Sequence, residues 1–135
     1  MRYLLDVNVL VAWGWADHAE HEKVARWIGR MKEKGEDRLL TSAIPQLGFV
    51  RVSVARTGGQ ISPEAAGTVL SGMLQSLGLV HEFVADDQES LRWPSWCKAA
   101  PNTTDAHLLG LAGAHGAHLA TLDEGIPGAF VIGRG

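Results

Sequence analysis

The apolar positions change period along the chain, and each change marks an element. Tyr3, Leu4 and Leu5 form an apolar run closed by Asp6, so Tyr3–Asp6 predicts a short buried strand. From Val7 the spacing turns helical, with Val7, Leu10, Val11 and Gly14 recurring on one side. A second helix is predicted over Ala19–Lys34, with Val24, Trp27, Ile28 and Met31 on its apolar stripe and Gly35 as its stop. Arg38–Thr41 predicts a second strand. Thr41 or Ser42 then caps a third helix, which tolerates Pro45 in its first turn. Ser62, Pro63 and Glu64 supply a cap, an N1 proline and an acid on the helix dipole, and the fourth helix they open runs to Leu77. Leu79–Val84 predicts a third strand, and Asp86 with Glu89 has capping-box spacing for a short fifth helix. Trp93–Pro101 reads as loop. Asn102 or Thr104 opens a sixth helix to Ala114, followed by strands over His118–Leu122 and Ala129–Ile132.

Strands alternating with helices predict βαβ units, and hence an α/β fold around a mostly parallel sheet. Ligands of such sheets bind beyond the carboxyl ends of the strands. That rule brings three scattered acids to one edge. Asp6 ends the first strand, Asp123 follows the fourth, and Asp105 lies in the first turn of the helix feeding the fourth.

Composition changes this picture little. The 135 residues fit one domain spanning the chain, and 46% hydrophobic with 20% charged residues is ordinary for a globular protein. A net charge of −3 advertises no global basic field for nucleic acid, although a local patch or bound cations serve equally well. One cysteine, Cys97, leaves no internal disulfide framework and points to a reducing cytoplasm. The N-terminal residues lack a signal-peptide pattern, and no apolar run approaches the ~20 residues needed to span a membrane.

Carboxylates held close together repel, and desolvation makes the repulsion worse. A fold that gathers them needs positive compensation. Mg²⁺ or Mn²⁺ supplies it, being hard, oxygen-seeking and able to activate water against a phosphodiester. Taken singly, each acid also fits a structural part: Asp6 and Asp123 as strand-end turn residues, Asp105 as a helix-dipole acid.

The segments DVNVLVAW (6–13), DHAEHEKVARWI (17–28), LLTSAIPQLGFVRV (39–52) and TDAHLLGLAGAHGAHLATLDEGI (104–126) together resemble PIN-domain proteins, in order and at matching separations. More closely they resemble the VapC-type toxins of type II toxin–antitoxin systems. The resemblance implies a three-layer α/β/α sandwich and a Mg²⁺- or Mn²⁺-dependent endoribonuclease cutting RNA with metal-activated water. It also implies inhibition by a cognate VapB-type antitoxin, and a homodimer. The family's acids fall on Asp6, Asp105 and Asp123, its polar or small position after the first acid on Asn8, and its hydroxyl before the last acid on Thr121. One position departs: the glutamate usual near the start of the third helix is Gln46 here. A glutamine carbonyl still accepts a hydrogen bond from water, but the site loses one negative charge. A weakened enzyme and a non-catalytic module that binds RNA or a partner both follow from that change. Glu124, beside Asp123, is the nearest candidate to compensate, against a plain solvated turn acid.

Other residues fit structural parts better. His18, His21, His115 and His118 lack the helical spacing and glutamate of zinc proteases. His107 lies two residues beyond Asp105 and should point away from it. The mixed charges of the second helix read as a solvated face. Arg51 and Arg56 are phosphate candidates or ion-pair members, Trp13 and Trp15 core or groove residues, and Gly110 and Gly113 points of close helix–sheet packing. A competing class is a phosphatase with Asp6 as nucleophile, because Asp6-x-Asn8 resembles the first haloacid-dehalogenase motif. That motif, however, needs a second aspartate where Asn8 stands.

Overall fold

The computed structural model describes residues 1–133. Along the chain run β1 (Arg2–Leu5), α1 (Val7–Gly14), α2 (His21–Lys34), β2 (Arg38–Thr41), α3 (Ala43–Arg56), α4 (Pro63–Gln75), β3 (His81–Phe83), α5 (Thr103–Ala114), β4 (His118–Thr121) and β5 (Phe130–Val131). The strands form one sheet in the order β3-β2-β1-β4-β5, and every neighbouring pair is parallel. Tyr3 pairs with Leu39 on one side and His118 on the other, which puts β1 at the centre.

Alternation along the strands divides the core between two faces. Tyr3, Leu5, Leu39 and Ala120 point to one side, where they meet Val9 and Leu10 of α1, Trp27 and Ile28 of α2, and Phe49 of α3. Leu4, Leu40 and Leu119 point to the other, against Leu108, Leu111 and Ala112 of α5. Helices therefore cover both faces of a parallel sheet, the α/β/α sandwich expected of its run of doubly buried strands. Close helix packing falls at other glycines than Gly110 and Gly113: an added Cβ would meet nothing within 4 Å at Gly113 and only the Gln88 side chain, at 4.0 Å, at Gly110. The tight contacts are at Gly14, against Phe49 of α3, and at Gly48, against Val7 of α1.

Element boundaries shift by a residue or two from the sequence pattern, with two larger differences. A 3₁₀ turn, Gly78–Val80, replaces the start of the third strand and leaves Leu79 91% exposed. No helix forms after Asp86; residues 84–89 are irregular. The Asp86 carboxylate accepts the Gln88 N–H at 3.1 Å and the His107 Nε2–H at 2.7 Å, so it closes a local turn and ties that turn to α5 instead of capping a helix. The segment from Trp93 is loop as expected, apart from a 3₁₀ turn at Ala100–Asn102.

Candidate active site

The sheet order reverses direction at β1. From β1 the chain proceeds through β2 to β3 on one side, and then crosses to β4 and β5 on the other. The crevice between the carboxyl ends of β1 and β4 is thus the topological switch point, where doubly wound sheets bind ligands. Asp6 directly follows β1, and Asp123 stands two residues past the end of β4.

Asp6 is the N-cap of α1 and only 4% exposed. Its Oδ1 accepts the Val7 N–H at 2.7 Å and its Oδ2 accepts the Thr121 O–H at 2.7 Å. Thr121 is itself fully buried, and its oxygen accepts the Asn8 amide N–H at 3.2 Å and the Asp123 N–H at 3.1 Å. The Asn8 carbonyl in turn accepts the Leu122 N–H at 3.2 Å. One hydroxyl thereby joins the ends of β1 and β4, holding Asp6 and the start of the Asp123 loop in one network. Asp123 is exposed, and its Oδ1 accepts the Gly125 N–H at 2.8 Å.

Burial above all raises the Asp6 carboxyl from the ordinary carboxylate range; the two hydrogen bonds oppose this, and the charge of Asp123 adds to it. Asp105, half-buried on α5, is raised too, first by burial and then by the charges of Asp6 and Asp123. The three acids of the sequence pattern therefore share one electrostatic field. They share it without touching: among the described residues, no three His, Cys, Asp or Glu side chains form a ready-made metal cage.

Gln46, on the first turns of α3, donates its Nε2–H to Thr41 Oγ1 at 3.0 Å. Thr41 Oγ1 bonds His81 Nε2 at 2.7 Å, and burial lowers the His81 pKa. This three-residue chain carries no sequence signal, because only the pairing of β2 with β3 brings Thr41 and His81 together. Beside it, Ser42 caps α3 by position but not by bond; its buried hydroxyl has no protein partner among the described residues.

Most of the remaining candidates have structural partners. Arg56 pairs with Asp17 at 3.0 Å and lies over the Trp15 ring, while Trp15 Nε1 donates to Ser53. His18 accepts the Glu20 N–H ahead of α2, His21 bonds the Ala12 carbonyl, and His118 packs on Tyr3. His107 is turned to Asp86. Arg51 and Glu124 are exposed.

A doubly wound sheet with an acidic switch point, closed by a hydroxyl between two strand ends, defines an α/β/α domain with a ligand-binding edge. The chain belongs to the PIN domain family, whose model matches residues 3–129. It is similar to three proteins of Mycobacterium tuberculosis. Ribonuclease VapC44 is 38% identical over 133 residues, 93% of this chain and 89% of that protein. Ribonuclease VapC38 is 35% identical over 127 residues, covering 91% and 86%. Ribonuclease VapC39 is 34% identical over 132 residues, covering 93% and 91%.

Proposed function

We propose that the protein is a divalent-metal-dependent endoribonuclease, the toxin of a VapBC-type toxin–antitoxin pair. The observation that carries the reading is the gathering of Asp6, Asp105 and Asp123 at the switch point, where Asp6 and Asp105 are raised first by burial and then by the charges of neighbouring acids. The similarity to VapC ribonucleases supports the RNA substrate. Resemblance to that family adds a VapB-type antitoxin and a homodimer as expected partners. No helix among the described residues is long and apolar enough to cross a membrane.

The donor set fits a hard cation. Asp6 uses one bond on each oxygen, leaving about half of a carboxylate's roughly four lone-pair sites. Asp6, Asp105 and Asp123 would hold Mg²⁺ or Mn²⁺. When bound, the ion neutralises the acids and the scissile phosphate and acidifies water. Asp6 is fixed by Val7 and Thr121, whereas Asp123 is exposed and accepts one bond, from Gly125. Asn8 positions Thr121 rather than the substrate. The reaction adds water to phosphorus while the bond to the 3′-oxygen breaks, giving a 3′-hydroxyl and a 5′-phosphate.

Incubating the protein with structured RNA and Mg²⁺ or Mn²⁺ tests this. Cleavage should vanish in EDTA and in Asp6→Asn; persistence in either condition overturns the assignment. Gln46 supports a second reading, a PIN-fold module that binds RNA without cutting, since its amide is tied to Thr41 and contributes no charge. That reading holds if neither the natural protein nor Gln46→Glu cuts RNA while both bind it.

A further inference from the structure

We propose that the cavity beside α5 binds one unpaired base of the RNA next to the acids, with Trp93 supplying affinity and Gln88 base preference. The inference rests on the ribonuclease reading and names how the same site selects its substrate. The cavity measures about 320 Å³, within the range of small-ligand pockets. Trp93 and Trp96 line it, with Gln88, Arg92, His107 and Leu109.

Three features favour a nucleobase. First, two indoles offer stacking faces, and Trp93 keeps 41% of its surface exposed although burying it would be favourable. Second, the charges of Arg92 and Glu89, both on the lining, offset each other, so the cavity suits a flat neutral ring rather than a phosphate. Third, the polar groups are held in place. Asp86 accepts only, which forces its proton donor to be His107 Nε2–H and leaves Nδ1 as the ring's other polar atom. The same carboxylate holds the Gln88 backbone, and the Gln88 carboxamide, one N–H of which reaches Asp87 Oδ1 at 3.4 Å, keeps a second N–H and its carbonyl, a donor and acceptor pair that reads a base edge.

Position links the cavity to the acids. Leu109 on its wall is one turn beyond Asp105 on α5, about 6 Å along the axis. A strand whose phosphate meets Asp105 and that runs along α5 reaches this cavity with a neighbouring base. Trp96 packs on the core, so Trp93 and Gln88 are the residues to vary.

Binding of short single-stranded homopolymers of A, C, G or U is measured with Ca²⁺ in place of Mg²⁺, so that a hard cation still offsets the acids facing the phosphate, alongside cleavage in Mg²⁺. The protein should prefer one base. Trp93→Ala should weaken all four oligomers about tenfold or more, Trp93→Phe should retain binding, and Gln88→Ala should level the preference. Equal binding by all three variants and the natural protein overturns the proposal, as does the absence of any RNA binding. Free nucleoside monophosphates that bind as tightly as the oligomers would make this a nucleotide site, and the RNA assignment would fall. If cleavage occurs but Trp93→Ala keeps its rate and preference, the base site fails and the ribonuclease stands. If base-selective binding depends on Trp93 but nothing is cut, the base site stands and the ribonuclease fails.

Discussion

Thr121 has one hydroxyl proton and gives it to a carboxylate that is almost fully buried. Thr121→Val keeps the shape and removes the donor, leaving Asp6 with one hydrogen bond fewer and the Asn8 and Asp123 N–H groups without their acceptor. The expected loss is about 1.5–3 kcal/mol, the usual worth of a hydrogen bond to a charged group, read as a lower urea midpoint; Thr121→Ser should restore most of it. Gln46 acts through proton direction. As glutamine it donates to Thr41, whose hydroxyl also bonds His81 Nε2 and is free to give its proton to that ring. The lowered His81 pKa means that the unfolded chain takes up a proton more readily, so His81 costs stability as pH falls below the ordinary histidine range. In Gln46→Glu the carboxylate only accepts, so Thr41 must turn its proton to it and accept Nε2–H from His81. The His81 pKa should then rise in an NMR titration, and the acid-side loss of stability should shrink. The same change should tighten Mg²⁺ binding by about tenfold or more through the added charge, measured by titration calorimetry.

At the scale of elements, α1 starts at the residue after Asp6, so its seating decides where that acid points. Gly48 of α3 receives it: an alanine Cβ there would lie 2.5 Å from Val7 Cγ2 and 2.9 Å from Cγ1. Gly48→Ala should cost about 1–3 kcal/mol by overpacking and should also lower the cleavage rate, because Val7 carries the N–H that fixes Asp6. A variant with reduced stability and full activity would separate the helix contact from the site.

Across the whole molecule, the burial of Asp6 and Asp105 opposes folding at neutral pH. Because the folded pKa of Asp6 and Asp105 is raised, the folded state binds protons more tightly than the unfolded chain. Stability therefore falls as pH climbs from the ordinary carboxylate range through the raised values. Asp105→Asn removes one of these charges. In EDTA at neutral pH it should melt higher than the natural protein, and the gap should narrow on acidification. In millimolar Mg²⁺ the order should reverse, since ligand binding stabilises the natural protein in proportion to its affinity, about 2.7 kcal/mol at a hundred times Kd. Calorimetric melting with and without Mg²⁺ measures both.

Sequence by itself determined the strand–helix alternation, the parallel sheet and the topological level of Asp6, Asp105 and Asp123, because period and chain order are local properties. It also marked Gln46 as a departure from its family. Tertiary structure decided what local pattern could not carry. Asp86 has the spacing of a helix cap, yet α5 brings His107 to its carboxylate and the helix does not form. Gly110 and Gly113 sit on α5 but make no tight contact with the sheet, while Gly48 meets α1. Thr41 finds His81 only through the β2–β3 pairing, and Thr121 finds Asp6 across β1 and β4. Each of these depends on contacts between residues far apart in the chain, and a burial or a partner of that kind has no local signature.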